Sequence, residues 1–549
     1  MCMNVHSLIA AYCKKSEKVS QVLSDMIILS DIQNKQKLSD PKKFTVVDHN
    51  YGIGAVNLGQ NTENRISQPF IDEKNELAVV LDGEIYNREF FEEYLAEYSI
   101  ETDPDAKLVA HLFTKLLSSF DLTSAVRKML LLLEGAYVFI IMLHKHNKLI
   151  ITRDPIGVKP LYFVKTPDCI LFSSQRKPLL FQKSENIFYE DIQSVHQDRI
   201  YIVSGSGDVA DFAGEGLQKR QMFDLPLNKM IQALEGYFRF AIERRLPDYN
   251  EKFGVLFSGG LDSSILARYV SDYDVDFNLY SSGFQNSSDL EHAMESFSTY
   301  DATLKINELI LEDVEVEIPR ILFYIEQPEI MQINIAIPVH FSTLLAKKDG
   351  IQLFFSGQGL DELFGGYSRH VDTVKSEGHE ALYEQLWEEF KTFPPITLER
   401  DDTLSKSHRT LSRLPFLDQR IVEYSMRIPA SFKVYDTSRN TFIRKWILRR
   451  VAEKLNLPKK VIKRKKIAMQ FGSGTATALG KIARMNGFDK SLAKKCGYLN
   501  NQKMYLDAIA CLLGFPFKNV KRKKLLECVP KIWEEKMSQY LSFRSPQYL

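Results

Sequence analysis

Short apolar and β-branched runs mark the first ~205 residues of the chain. Leu77–Leu81, Tyr137–Ile141 and Lys148–Thr152 are the clearest; Phe172–Ser174 and Arg199–Ser204 are weaker runs bounded by turn residues. Between them, Leu108, Val109, Leu112, Phe113, Leu116 and Leu117 recur at helical spacing and predict a helix over 106–119. This part therefore predicts strands with few long helices. Glycine clusters at 205–208 and 214–216 mark a linker. The pattern turns helical over 228–244, and strands then alternate with helices. Gly254–Phe257 precedes a helix from about Ser263, Asn278–Ser281 precedes one at Asp289, and Gln352–Phe355 runs into a glycine turn. Such alternation predicts a parallel, doubly wound sheet. Residues after about 370 read as mostly helical.

At 549 residues the chain exceeds one ordinary domain. Its 44% hydrophobic and 26% charged residues suit a soluble globular protein with sizeable cores. Lys plus Arg number 71 against 70 Asp plus Glu, so no global field favours nucleic acid or an anionic membrane. The local basic runs Lys459–Lys466 and Lys518–Lys524 read as solvated faces, with a phosphate-facing role the minority alternative. Six cysteines lack CxxC spacing, which predicts neither a zinc site nor a disulfide framework and points to a reduced, intracellular setting. No apolar run approaches the ~20 residues of a membrane helix, and no signal peptide is evident, so a cytoplasmic location is expected.

The chemistry lies in two loops. Ser258–Ser264 reads SGGLDSS directly after the apolar run Phe253–Phe257. Gly259 and Gly260 let backbone N–H groups approach an anion, Ser258, Ser263 and Ser264 add hydroxyls, and the following helix adds its dipole. Asp262 would repel a phosphate unless a divalent cation stood between them, which implies Mg²⁺. The loop lacks a Walker GKS or GKT. A second apolar strand runs into Ser356-Gly-Gln-Gly-Leu-Asp-Glu362 and Gly365-Gly-Tyr367. In a parallel sheet both loops leave the carboxyl edge, where ligands bind, so Asp262 and Asp361 could share a cation on one pyrophosphate.

Together these motifs resemble the glutamine-dependent asparagine synthetases, whose loops read SGGLDSS and SGEGSDEVFGGY. Further similarities run in family order: LDGEIYN at 81–87, RDPIGVKPLY at 153–162, SDLEHA at 288–293 and RLPFLD at 413–418, reaching about residue 475. Arg400-Asp-Asp402, Ala468–Gly472 and the GYSRH at 366–370 look closer to asparagine synthetase domain-containing proteins and archaeal relatives. The resemblance implies an α/β and α+β chain: an Ntn-type glutamine amidotransferase sandwich over 1–205, a doubly wound ATP-pyrophosphatase domain over 225–480, and a basic helical extension over 481–549. It implies ATP, Mg²⁺, an acceptor carboxylate such as aspartate, and ammonia or glutamine as small-molecule partners, and leaves a homodimer open. Leu256, Ser282, Ser356 and Gly357 would line the adenosine pocket; Asp262 and Asp361 would hold Mg²⁺ and pyrophosphate. Asn334 and Ile337 occupy the segment that reads the acceptor.

The chain also departs from the family. Cys2 would become the N-terminal nucleophile after loss of Met1, with Gly83, Glu84 and Asp105 holding the glutamine amino end. Yet the family's oxyanion-donating Asn is Asp82, which repels developing negative charge, and the carboxylate-binding Arg is Ala55. Weak or absent glutaminase activity is expected. Gln358 replaces a Glu and so lacks a carboxylate that could accept a proton, and the basic group of the Lys-Glu-Gln-Phe segment moves to Lys465 or Lys466. A related ligase acting on another carboxylate, and a non-catalytic nucleotide-binding descendant, both stay open. Trp387, Trp446 and Trp533 read as core, His370 as a helix-surface residue, and Met469 and Phe471 equally as packing or pocket.

Overall fold

The computed structural model describes residues 5–30, 45–57, 68–98, 104–183, 185–214, 216–247, 251–437 and 441–541. Cys2 lies outside them. The chain forms two compact units, one from residues 1–217 with 506–549 and the other from Gln218–Tyr505.

In the first unit two antiparallel six-stranded sheets pack face to face. One contains β1 (Val5–Cys13), β2 (Thr45–Asp48), β3 (Tyr51–Asn57), β8 (Tyr162–Lys165), β9 (Cys169–Ser173) and β10 (Gln193–Ser194), in the order β10-β8-β9-β1-β3-β2. The other contains β4 (Phe70–Asp72), β5 (Leu77–Ile85), β6 (Gly135–Leu143), β7 (Lys148–Arg153), β11 (Arg199–Ser204) and β12 (Val209–Ala213), in the order β12-β11-β7-β6-β5-β4. The strand β6 explains the layering. Successive side chains alternate between faces, so Tyr137, Phe139, Ile141 and Leu143 enter a core with the helices Asp105–Leu117 and Leu122–Leu132. Val138, Ile140 and Met142 instead enter the core shared with Leu8, Ala10, Ile53 and Phe172 of the other sheet. Both faces are buried, which is why this strand reads as an unbroken apolar run. The helix Ser16–Ser30 packs on β1 and β3. The expected two-sheet sandwich is present, but its helices exceed the few expected: Ser16–Ser30 and Leu122–Leu132 were not anticipated.

A second correction concerns cysteine. Antiparallel pairing sets Cys13 directly opposite Cys169, with Cα atoms 4.1 Å apart, and the two are joined in a disulfide. Chain spacing carries no information about a cross-strand pair 156 residues apart, so it supports no inference about redox setting. The C-terminal segment is no detached tail. Tyr189 N–H donates to Pro516 O at 2.8 Å, Phe515 packs edge-on against Phe181, and Lys518 pairs with Asp191.

The second unit is built on a five-stranded sheet of β13 (Phe253–Leu256), β14 (Phe277–Phe284), β15 (Thr303–Leu309), β16 (Leu353–Phe355) and β17 (Leu411–Arg413). Every pairing is parallel and the order is β15-β14-β13-β16-β17. The chain winds outward from β13 in one direction and from β16 in the other, so the switch point falls between these two strands, where open α/β sheets bind ligands. No helix among the described residues is long and apolar enough to cross a membrane.

Candidate functional site

The loops leaving β13 and β16 meet at that switch point. Gly259 has φ +62°, and a Cβ there would lie 2.4 Å from the backbone carbonyl carbon of His292, so only glycine lets the loop turn beside the helix Ser288–Ser296. Gly260 then caps the helix Leu261–Val270. In the second loop a Cβ at Gly357 would press on the Asp262 backbone at 3.2 Å, and one at Gly366 would overlap Asp361 Oδ1. Glycine therefore allows the two loops to touch.

A cleft of about 940 Å³, counting its open mouth, lies over them. Leu256, Ser258, Asp262, Ser263, Ser282, Ser356, Gly357, Gln358, Asp361 and Lys466 all line it. Gly260 borders an adjoining cavity with Lys445, Arg464 and Lys465. Gly259 and Ser264 line neither. Ser264 is fully buried beside Tyr300, because the helical turn carries it away from the loop. Asn334 and Ile337 are also buried outside the cleft, in the helix Ile330–Lys348.

Two acidic groups and two lysines form the electrostatic centre. Lys445 Nζ lies 2.6 Å from both Asp262 Oδ2 and Asp361 Oδ1, and Lys466 Nζ lies 2.6 Å from Asp361 Oδ2. Burial alone would raise both acids, but the two lysines outweigh it at Asp361 and hold that carboxyl well below the usual range. At Asp262 burial wins over Lys445 and the shift is upward. Burial opposes the charged Lys466, yet Asp361 and Asp262 raise it overall. Burial and the charge of Asp361 push Glu362 up to about 7, where the Tyr367 hydroxyl donates to it at 2.5 Å.

Lys445 was missed by sequence reasoning. It is 3% exposed and adopts φ +52° immediately before the helix Trp446–Lys454, a backbone region that side chains rarely enter. Arg464 was missed too: it donates to Ser258 O at 2.7 Å and pairs with Asp289 at 2.6 Å. The Lys459–Lys466 run is thus not simply a solvated face, since Arg464 and Lys466 turn inward while Lys460 pairs with Glu295 outside. Arg449 clamps the segment through the carbonyls of Ile462 and Arg464.

Other residues also depart from expectation. His370 is fully buried and 2.9 Å from Glu389, because Arg369 on the same turn takes the exposed position. Met469 lines the cleft, whereas Phe471 is 67% exposed. Trp387 and Trp533 are core residues, while Trp446 is half-buried and stacks on Tyr435.

In the first unit Asp82 is buried on β5 opposite Val138. Gly83 has φ +130° and passes so close to Ala136 O that no Cβ fits. Asp105 is already engaged, accepting from Ile85 N–H at 2.9 Å and Arg88 at 2.7 Å; burial lifts it to about 6. Glu84 faces the Tyr86 hydroxyl at 3.3 Å. Ala55 is fully buried in the inter-sheet core. Asp154 accepts from the N–H groups of Ile156, Gly157, Val158 and Lys159, which fixes the RDPIGVKPLY turn.

An antiparallel amidotransferase sandwich joined to a parallel sheet with facing glycine loops at its switch point defines a two-unit synthase of the amidotransferase class. The family model described as glutamine amidotransferase domain matches residues 57–181, and the one described as asparagine synthase matches 233–378 and 373–505. The chain belongs to the glutamine-hydrolysing asparagine synthetase family. The match extends past the expected limit near 475, to residue 505. It is 29% identical to a Methanocaldococcus jannaschii protein provisionally named asparagine synthetase (glutamine-hydrolyzing) 1, over 80% of this chain and 86% of that one. It is 27% identical to the asparagine synthetase (glutamine-hydrolyzing) of Sandersonia aurantiaca, over 74% and 76%. It is 26% identical to asparagine synthetase (glutamine-hydrolyzing) 2 of Arabidopsis thaliana, over 74% and 69%.

Proposed function

We propose that the second unit is an ATP-dependent amide ligase that activates a carboxylate, with the aspartate side chain the first candidate, as its acyl-AMP and then transfers ammonia to it. The observation that carries this reading is the meeting of the β13 and β16 loops, with Asp262 and Asp361 bridged by Lys445. A carboxylate is inert toward ammonia until its oxygen becomes a leaving group. Attack on the α-phosphate breaks the bond to the β-phosphate and releases pyrophosphate. The charge that develops there falls beside Lys445, Lys466, Arg464 and the amino end of the helix Leu261–Val270. Leu256, Ser282, Ser342 and Val339 offer the nucleoside a partly apolar wall.

Mg²⁺ fits these residues. Asp262 Oδ1 is buried without a hydrogen-bond partner, and no group of three potential ligand side chains occurs among the described residues. This suits a cation held by two carboxylates and substrate phosphates. Asp262 and Asp361 would hold it, and it would neutralise the pyrophosphate.

Glutamine is a poor nitrogen source on this reading. Asp82 stands where an oxyanion donor is needed, Ala55 is core, and Asp105 is tied to Arg88. Ammonia from solution is the expected nucleophile.

The test is pyrophosphate release from ATP with ammonia and each candidate acid. Aspartate-dependent release with asparagine formed supports the reading; release with another acid redirects it; nucleotide binding with no release under any condition sinks it. Glutamine hydrolysis should be weak and unchanged by Cys2→Ala.

A further inference from the structure

The cleft holds one carboxylate outside the lysine and arginine cluster around the phosphate loops. Asp401, on the helix Glu399–Ser407, lines it together with Gln358, Ser405 and Ser412. Its Oδ2 accepts from Gln358 Nε2 at 2.9 Å and its Oδ1 from Arg400 Nε at 2.8 Å. Arg400 is 1% exposed and anchored through Nη1 to Gln332 Oε1 at 2.9 Å; Gln332 in turn donates to Ile396 O at 2.7 Å. Asp401 is therefore aimed by a buried chain that does not itself reach the cleft surface. The other cleft acids are occupied near the phosphates: Asp262 and Asp361 by lysines, Asp289 by Arg464.

We propose that Asp401 is the proton acceptor for the incoming nitrogen, supplying through space the carboxylate that the β16 loop lacks at Gln358. The inference rests on the ligase reading above. The ammonia lone pair forms a bond to the acyl carbon, and the tetrahedral adduct carries a strongly acidic ammonium. One proton passes from that nitrogen to Asp401, the carbon–oxygen bond to AMP breaks, and AMP leaves as its phosphate dianion. Asp401 then returns the proton to water. A carboxamide cannot take that proton, but Gln358 Nε2 can hold the carboxylate that does.

The experiment separates the two half-reactions in the full chain. Acid-dependent exchange of labelled pyrophosphate into ATP reads activation, before any nitrogen enters. Amide formation with ammonia, and hydroxamate formation with hydroxylamine, read the second step; hydroxylamine is largely unprotonated at neutral pH and leans less on a base. Asp401→Asn should still catalyse exchange while ammonia-dependent amide formation falls about 10²- to 10⁴-fold and hydroxamate formation falls less. Adding Gln358→Glu to that variant should recover amide formation at least tenfold, since it returns a carboxylate to the same spot. Amide formation by Asp401→Asn at the parent rate overturns the proposal. So does a parallel loss of exchange, amide and hydroxamate that Gln358→Glu does not repair, which would make Asp401 a brace only. Absence of exchange in the parent with every acid refutes the ligase reading, and this inference with it.

Discussion

Lys445 Nζ stands 2.6 Å from Asp262 and 2.6 Å from Asp361, so one ammonium ties the carboxylate of the β13 loop to that of the β16 loop. Removing it leaves two buried like charges facing each other, with Lys466 compensating only Asp361 directly. Lys445→Met should lower acid-dependent pyrophosphate exchange by at least about 10²-fold, the scale of losing one preorganised electrostatic group. Lys445→Arg should recover little, because the guanidinium fork does not fit between two single oxygens. Exchange within threefold of the parent in Lys445→Met would remove this lysine from the chemistry.

Asp262→Asn probes the same cluster from the acidic side. It keeps the side-chain shape and removes the charge, so turnover should vanish and the dependence on added Mg²⁺ should weaken. Activity and Mg²⁺ dependence equal to the parent's would refute the metal assignment.

These relationships were unevenly legible in the sequence. The strand–glycine–acid pattern placed Asp262 and Asp361 on facing loops because local turn chemistry and short unbroken apolar runs lie within a few residues of one another. Lys445 was invisible. It lies 183 residues from Asp262 in a stretch with no turn signature, and only the strained backbone before the helix Trp446–Lys454 delivers it. Arg464 and Lys466 sat in a run of identical charge whose inward and outward members differ only through the clamp by Arg449. Ser264 failed in the opposite way: a motif letter suggested a ligand, and helical rotation buried it. Cys13 and Cys169 became partners only through sheet register.

Lys433 is fully buried with no hydrogen-bond partner for its Nζ, and desolvation lowers it to about 7. The unfolded chain holds that proton up to about 10.4, so the group destabilises the fold at and below pH 7, and the penalty fades as pH rises toward 10. Lys433→Met should raise the unfolding free energy by about 2–4 kcal/mol at pH 7, and the gain should shrink between pH 7 and 10. Urea melts across that range check it; a gain independent of pH would refute the assignment.

His340 and His408 are 2.9 Å apart in the interior, with Glu317 against His340, Arg320 on Glu317, and Tyr324 edge-on to His408. Burial lowers both, and at His408 the charges of His340, Lys347 and Arg320 lower it further. A folded value below the unfolded ~6.5 means that stability is present above that pH and lost as pH falls through it. The second unit should therefore soften between pH 7 and 5. His408→Gln should flatten that slope whatever it does to the midpoint; an unchanged slope would sink the explanation.

Phe515 is 1% exposed, edge-on to Phe181 and stacked on Phe517. Phe515→Ala should cost about 3–5 kcal/mol. Hydrogen exchange should register that loss in the first unit, with the sheet of β13–β17 spared. Equal loosening of both units would argue against the observed division.

That division has a temporal side. The sheets of the first unit leave the ribosome before the second unit, but the segment carrying Phe515 and Pro516 follows it. At about 5–20 residues per second, the strands β1–β12 must wait for the whole synthase unit to be translated before the surface around Phe181 and Tyr189 is covered. During that interval the nascent chain exposes an apolar seam, a natural point of engagement for chaperones. A message truncated late, with an otherwise intact ligase unit, would leave that seam permanently open.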